Sequence, residues 1–246
     1  MPLTEMEVQF LAEARRMGGL IDINCYLEQH AQQPSGIIEA IERSSEQGVN
    51  LCDDAHSYRP HRRSVTFMCG DCDQVHELYT HHAEHVDNKT HLHADNGGAL
   101  LLDPRIRVIP GFNTPDYWRM RICSSIDLKF GLLPDELDPE VMLYIHLPCG
   151  QARALKMMAW ESVMAGCKGK QIMKRLARTR RESRVRDVDN GRPFRTALLL
   201  HVHYSDDRRR TYYVKRHVVE PIAKDFALRH ERMKEGISKT EPDMVS

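Results

Sequence analysis

The sequence has no net charge, because its 35 basic side chains are matched by 35 acidic ones. A strongly basic balance would favour nucleic acid or an anionic membrane surface as a partner, and that argument is missing here. No apolar run approaches the roughly 20 residues that a membrane-spanning helix needs. The opening residues, MPLTEMEVQF, do not resemble a signal peptide. We therefore expect a cytoplasmic protein with no membrane segment and no nucleic-acid partner.

An even set of closely spaced cysteines is also lacking, as are internal repeats and low-complexity segments. The seven cysteines are an odd number and are widely spaced, apart from Cys69 and Cys72. In a reducing compartment such cysteines are metal ligands or core residues rather than disulfides. The 246 residues, 41% of them hydrophobic, suffice for one large domain with a substantial core.

The hydrophobic pattern divides the chain into three parts. Residues 1–50 are predicted to form a helical arm that packs on the core or on a partner subunit. Residues 51–235 are predicted to form a single α/β domain, and residues 236–246 a disordered tail. Helices are predicted at Glu5–Met17, Ile21–Gln29, Ile37–Gln47, Gln74–Val86, Tyr117–Phe130, from Leu155 to Gly166, in Lys168–Arg186 and at His217–Met233. Strands are predicted at Ser64–Met68, Ala99–Leu102, Val141–His146, Thr196–Tyr204 and Thr211–Val214, with polar segments at Asn50–Arg63 and His91–Gly98 predicted as a loop and a turn.

Two of the predicted strands end in metal-ligating residue types. The apolar run after Val141 leads into His146, and Cys149 follows three residues later, before a helical pattern. The strand at Ser64–Met68 ends in Cys69, with Asp71 two residues on. Two thiols and an imidazole suit tetrahedral Zn²⁺, with water or a neighbouring side chain, Asp71 or Cys72, in the fourth position. On the residues alone, buried thiols and a hydrogen-bonded core histidine are an equally good interpretation.

Other polar clusters are weaker candidates. His81 and His85 have chelating spacing but no third ligand nearby, and a solvated helix face is favoured. His201 and His203 share one face of a strand and are interpreted as polar positions. Lys168–Arg186 carries nine basic residues and one acidic residue. It is either an anion-binding patch or an amphipathic helix, and the neutral net charge favours the helix.

In this order, the motifs resemble those of β-class carbonic anhydrases over roughly residues 60–215. The matching residues are Cys69-Gly70-Asp71, then Asp95-Asn96-Gly97-Gly98, then His146-Leu147-Pro148-Cys149-Gly150. The resemblance implies a mainly parallel sheet flanked by helices and a zinc ion on Cys69, His146 and Cys149. It also implies a homodimer or higher homo-oligomer. Zinc-bound hydroxide would attack CO₂, or a similar small electrophile such as carbonyl sulfide, in a reaction that interconverts CO₂ and bicarbonate.

The same resemblance assigns Asp71 a catalytic role, with backbone amides near Asn96–Gly98 positioning the substrate. Two features depart from the family pattern. The segment between Gly98 and His146 is longer than usual, which fits an insertion around Leu101–Phe112. Asp73 also replaces the arginine that pairs with the motif aspartate and keeps it off the zinc.

Without that arginine, Asp71 either ligates the metal or holds a proton beside Asp73. Arg59, Arg62 or Arg121 could supply the missing cation from elsewhere. Weak catalysis is expected in either case. The alternative function is a non-catalytic relative with a structural zinc and a partner-binding role.

Overall fold

A six-stranded sheet runs through the computed structural model, which describes residues 35–45, 51–52, 64–72, 91–94, 97–105, 115–130, 139–186, 191–204 and 206–238. The strands are β1 (Leu51–Cys52), β2 (Ser64–Met68), β3 (His91–Ala94), β4 (Glu140–Leu147), β5 (Arg195–His203) and β6 (Arg209–Tyr213). Their spatial order is β1-β6-β5-β4-β2-β3. The four strands from β5 to β3 are parallel, and β6 pairs antiparallel with β5 and β1. The predicted α/β fold with a mainly parallel sheet is confirmed.

Helices and apolar clusters cover the sheet. The helices are α1 (Ser35–Ser45), α2 (Pro115–Phe130), α3 (Gly150–Ala154), α4 (Ala159–Val185) and α5 (Arg216–Ser238), with a 3-10 helix at Gly98–Leu102. Val141, Leu143 and Ile145 of β4 belong to the main apolar cluster, whereas Met142 and Tyr144 belong to a second one. Successive residues of a strand point to opposite faces, so β4 is buried on both faces, as its continuous apolar run predicts.

One helix of the predicted N-terminal arm lies within the described residues. Ile37, Ile38 and Ile41 of α1 are buried in the main apolar cluster. The helix packs on α5, where a Cβ on Gly36 would approach the Phe226 ring to 3.1 Å. This part of the arm therefore packs on the chain's own core. The helices predicted at Glu5–Met17 and Ile21–Gln29 lie outside the described residues.

The strand predicted at Ala99–Leu102 is wrong, because this run forms the 3-10 helix. Gly97 and Gly98 both have positive φ values, 101° and 48°, and turn the chain sharply. The amide of Leu100 then donates to the carbonyl of Gly97 at 3.0 Å. The run is apolar because it packs against α4 and β4 rather than because it pairs in the sheet.

A short strand replaces the turn predicted at His91–Gly98. His91–Ala94 forms β3 and pairs in parallel with Val65–Met68. The sequence HLHA is too short and too polar to show a strand pattern. Similarly, Leu51–Cys52, inside the predicted polar loop, pairs with β6 at the opposite edge of the sheet.

The helix predicted to end at Gly166 continues, because α4 runs unbroken from Ala159 to Val185. A Cβ on Gly166 would lie 2.0 Å from Cδ1 of Ile145 in β4. Gly166 therefore permits close approach of α4 to the sheet and does not mark a helix end. The interruption lies earlier, at Leu155–Met158, between α3 and α4.

The remaining predicted elements agree closely with the structure. The strands at Thr196–Tyr204 and Thr211–Val214 correspond to the antiparallel pair β5 and β6, and Tyr117–Phe130 corresponds to α2. The helix α5 extends to Ser238, so the first three residues of the predicted tail are helical rather than disordered. The rest of that tail and the predicted helix Gln74–Val86 lie outside the described residues.

Candidate metal centre

Two neighbouring parallel strands deliver the predicted ligands to the same edge of the sheet. Cys69 follows the last residue of β2, and Asp71 lies in the tight turn that comes next. His146 is the penultimate residue of β4, and Cys149 is the residue that precedes α3. Because β2 and β4 pair in parallel, their carboxyl ends meet, and residues far apart in sequence lie together.

The four side chains form a compact donor set. The ligand atoms of Cys69, Asp71, His146 and Cys149 all lie within 4.8 Å of one another. The two Sγ atoms are 3.9 Å apart. Two sulfurs about 2.3 Å from one tetrahedral metal ion would be separated by about 3.8 Å. The spacing of the thiols therefore fits one ion between them.

The glycine pair before the 3-10 helix supports Cys69. The amide of Gly97 donates to Cys69 Sγ at 2.9 Å. A Cβ on Gly98 would lie 2.5 Å from the backbone N of Cys69. Only glycine permits this approach, so the expected close approach of the backbone at the glycine pair is confirmed, and it lies beside Cys69.

Asp71 occupies the fourth corner of the cluster. Its Oδ1 lies in hydrogen-bonding contact with Cys69 Sγ and 2.9 Å from His146 Nε2. Its Oδ2 accepts a hydrogen bond from the amide of Gly150 at 2.9 Å. A Cβ on Gly150 would lie 2.7 Å from that oxygen, so a glycine is needed at this position as well. Sequence reasoning missed this contact of Gly150, although the glycine at the helix start was a visible signal.

The contacts shift the titration of all four groups. The hydrogen bond with His146 holds the pKa of Asp71 well below its ordinary value. Burial alone would lower the pKa of His146, but its contacts with Asp71 and Cys69 raise it to about 9. The pKa of Cys69 is raised by Cys149 and by burial, while the pKa of Cys149 is lowered by Cys69. The lowered pKa favours the ionised form of Asp71, whereas one of the two expectations from the sequence was a proton held beside Asp73.

Three of the four residues are buried in the protein, and the fourth, Asp71, is partly exposed to solvent. Cys69, His146 and Cys149 are 2%, 6% and 2% exposed. The side chain of Asp71 is 41% exposed. Three donors therefore form a buried base, and Asp71 covers it from the side that water and small solutes reach.

The remaining side chains considered for the site lie elsewhere. Cys72 is buried in the second apolar cluster and is not part of the donor set. Arg121 lies over the ring of Trp118, 5.4 Å from its centroid. Within the described ranges, no arginine or lysine forms an ion pair with Asp71. Asp73, Arg59, Arg62 and Asn96 fall outside those ranges.

The two strand histidines left out of the site also have other contacts. His201 is buried, with Nδ1 3.1 Å from Thr211 Oγ1. His203 lies 3.4 Å from Asp207. Neither belongs to the donor set, in agreement with their interpretation as polar strand positions.

Three cations of the basic stretch Lys168–Arg186 contact the chain's own residues. Arg180 is buried and donates to both carboxylate oxygens of Asp127 at 2.8 Å. Lys170 donates to the carbonyl of Val214 at 3.1 Å. Lys168 lies 3.8 Å from the buried carboxylate of Asp103. These contacts agree with the predicted amphipathic helix.

Comparisons of the chain with protein-family models, curated proteins and solved structures find no match. Within the residues that the structure describes, no helix is long and apolar enough to cross a membrane.

Proposed function

We propose that this chain binds one zinc ion through Cys69, His146, Cys149 and Asp71 and catalyses hydration of CO₂ or a similar small electrophile. The observation that carries the proposal is the difference in burial between the ligands. Three donors are buried, whereas Asp71 stands on the solvent side. An ion held this way keeps three protein ligands when Asp71 moves aside, the number typical of catalytic zinc sites.

The donor set favours zinc over other common ions. Thiolate and imidazole ligands suit Zn²⁺, while Mg²⁺ and Ca²⁺ prefer sets made of oxygen atoms. The sulfur spacing of 3.9 Å agrees with tetrahedral geometry. Supporting contacts from backbone amides, such as Gly97 to Cys69, stabilise the thiolate form that a metal needs.

The chain's own groups have distinct parts in the proposed chemistry. A bound Zn²⁺ supplies a Lewis acid that lowers the pKa of a water ligand towards about 7. Asp71, on the solvent side of the centre, would provide a carboxylate within reach to accept a proton. The amide of Gly150, which donates to Oδ2, would orient the carboxylate with Oδ1 towards the centre. The buried sides of the centre exclude bulk water from the thiolates.

The proposal is tested by metal content and CO₂ hydration on the same preparations. We expect about one zinc per chain, because four ligands already meet. Cys149→Ala should lose the metal together with much of the stability, since metal-binding free energy is also folding free energy in such sites. Cys123→Ala, which removes a buried thiol outside the donor set, is the matched control and should keep its zinc. Full metal occupancy in Cys149→Ala would contradict the proposed ligand set.

The second candidate function is a structural zinc with a partner-binding role. The observation that favours it is that both carboxylate oxygens of Asp71 already have hydrogen-bonding partners. Cobalt substitution separates the two functions. Azide should change the visible spectrum of an openable centre as the anion replaces Asp71, and should leave a permanently closed four-ligand centre unchanged.

The proposed setting is the cytoplasm, on the ground that an odd set of separated cysteines suits a reducing compartment. The proposed assembly is a homodimer or higher homo-oligomer with a small-molecule substrate and no nucleic-acid partner.

A further inference from the structure

The two cysteine ligands of the centre lie close enough to react with each other. Their Sγ atoms are 3.9 Å apart and belong to residues 80 positions apart in sequence. A disulfide places the sulfurs about 2.05 Å apart, so they would have to approach by about 1.9 Å. Rotation about the two side chains can supply part of this movement.

We propose that Cys69 and Cys149 form a reversible disulfide under mild oxidation and that this bond excludes the metal, so that the centre is switched off by peroxide. The inference rests on the proposed zinc centre and adds its regulation. A metal ion holds the two thiolates apart at the edge of a tetrahedron, whereas the disulfide removes both as ligands. His146 and Asp71 alone would retain zinc poorly.

The oxidation balances with hydrogen peroxide as the oxidant. In the zinc form, two thiolates, one peroxide molecule and two protons give one disulfide, two water molecules and a free Zn²⁺ ion. One thiolate attacks the peroxide and becomes a sulfenic acid, with loss of the first water. The second thiolate attacks that sulfur, and the S–O bond breaks to release the second water.

The distance of 3.9 Å between the two sulfurs, rather than exposure of the thiols, distinguishes this pair from the other described cysteines. Gly70, Asp71, Pro148 and Gly150 are exposed around the centre, so small solutes reach it from that side. Cys123 and Cys167 are buried in the main apolar cluster, outside the donor set. Cys72 lies in the second apolar cluster, away from the donor set.

The experiment uses the full chain in zinc-loaded and metal-free forms, each treated with a small excess of hydrogen peroxide. Free thiols are then alkylated, the disulfide is mapped by peptide mass spectrometry, and released zinc is read with a chromogenic chelator. We expect a link between Cys69 and Cys149, a mass decrease of about 2 Da for the two hydrogens lost, and about one zinc released per disulfide. A dithiol reductant followed by zinc should restore the loaded form.

Two variants sharpen the assignment. Cys123→Ser replaces a buried thiol outside the centre and should leave the yield of the link unchanged. Cys72→Ser removes the cysteine closest in sequence to Cys69, and the link to Cys149 should persist. If the unmodified chain instead forms a link between Cys69 and Cys72, the inference is overturned.

The outcomes separate this inference from the proposed function. If the loaded chain keeps its zinc and its thiols reduced while other zinc–thiolate proteins are oxidised, the switch is wrong and the zinc centre stands. Oxidation to sulfinic acid without a link also overturns the switch. If the chain binds no zinc, the proposed function fails and the switch fails with it, whether or not the metal-free chain forms the Cys69–Cys149 link.

Discussion

Among single residues, Gly98 is the one most constrained by the centre. A Cβ at this position would lie 2.5 Å from the backbone N of Cys69 and 2.7 Å from the carbonyl carbon of Met68. Both atoms belong to the backbone, so no side chain can rotate away to make room. The positive φ of 48° adds a second reason for glycine.

We therefore predict that Gly98→Ala destabilises the protein by about 2 kcal/mol or more and weakens zinc binding. The backbone at Cys69 must shift, which moves one thiolate away from the others. Urea unfolding and a competitive zinc titration measure the two effects. Gly36→Ala is the control. Gly36 lies in the helix α1, and a Cβ there would meet only the end of the Phe226 side chain, so this substitution should change stability little.

A second prediction for single residues concerns Asp71 and Asp73. Because no arginine or lysine among the described residues pairs with Asp71, we expect its carboxylate to compete with water for a bound zinc ion. We expect weak or undetectable CO₂ hydration near pH 7 and partial recovery at higher pH, where hydroxide competes better for the ion. Asp73→Arg should also recover activity, because an arginine there can draw Asp71 away. Stopped-flow hydration is the measurement, and a rate constant near 10⁸ M⁻¹s⁻¹ in the unmodified chain would contradict the prediction.

Among the elements, the 3-10 helix connects the metal centre to α4. Its first turn supports Cys69, and it ends at Asp103, whose side chain is fully buried. Asp103 accepts hydrogen bonds from the amide and the guanidinium of Arg105 and lies near Lys168 of α4. Burial alone would raise the pKa of Asp103, but the contacts with Arg105 prevail and lower it.

The sign of this shift predicts a pH dependence of stability. A carboxylate whose pKa is lowered by folding stabilises the folded state at pH values above its pKa in the unfolded chain, which is about 3.9. This contribution is lost as the pH falls below that value and through the lower pKa of the folded state. Asp103→Asn should therefore cost roughly 1.5–3 kcal/mol at pH 7 and much less at pH 3. The urea midpoints of both proteins at the two pH values measure the difference.

Asp206 offers a matched control for this prediction. It pairs with Arg208 at the same spacing in sequence, but both side chains are more than half exposed. Asp206→Asn should change the unfolding midpoint little at either pH, since exposed ion pairs contribute little. Equal effects of the two substitutions would mean that burial of Asp103 is not the cause.

The elements also differ in how well their own sequences predict them. The central strand β4 has a long apolar run and the helix α5 an amphipathic pattern, and the ends of both were predicted within five residues, whereas the pattern of α2 is ambiguous. The 3-10 helix was mistaken for a strand because an apolar run of four residues fits either structure. Gly166 was mistaken for a helix end. The reason for this glycine is its close contact with Ile145 of β4, which the helix sequence does not show.

For the whole molecule, we predict at least a dimer in solution. The expectation rests on the family resemblance and on the apolar stripes of the N-terminal arm. One of these stripes is buried in the chain's own core through Ile37, Ile38 and Ile41. Sedimentation velocity at micromolar concentration is the measurement, and a single species of 28.5 kDa would contradict the prediction.

The sequence by itself determined the ligand types and the strand ends that carry them. Cys69 follows a short apolar run and His146 ends a long one, so both were predictable as strand-end residues. Only the tertiary structure shows that Asp71, rather than Cys72, lies together with the other three candidate ligands. That choice depends on β2 pairing directly with β4, which brings the amide of Gly150 within 2.9 Å of Asp71 Oδ2. Such contacts join residues nearly 80 positions apart, and local pattern carries no information about which distant strand becomes the neighbour.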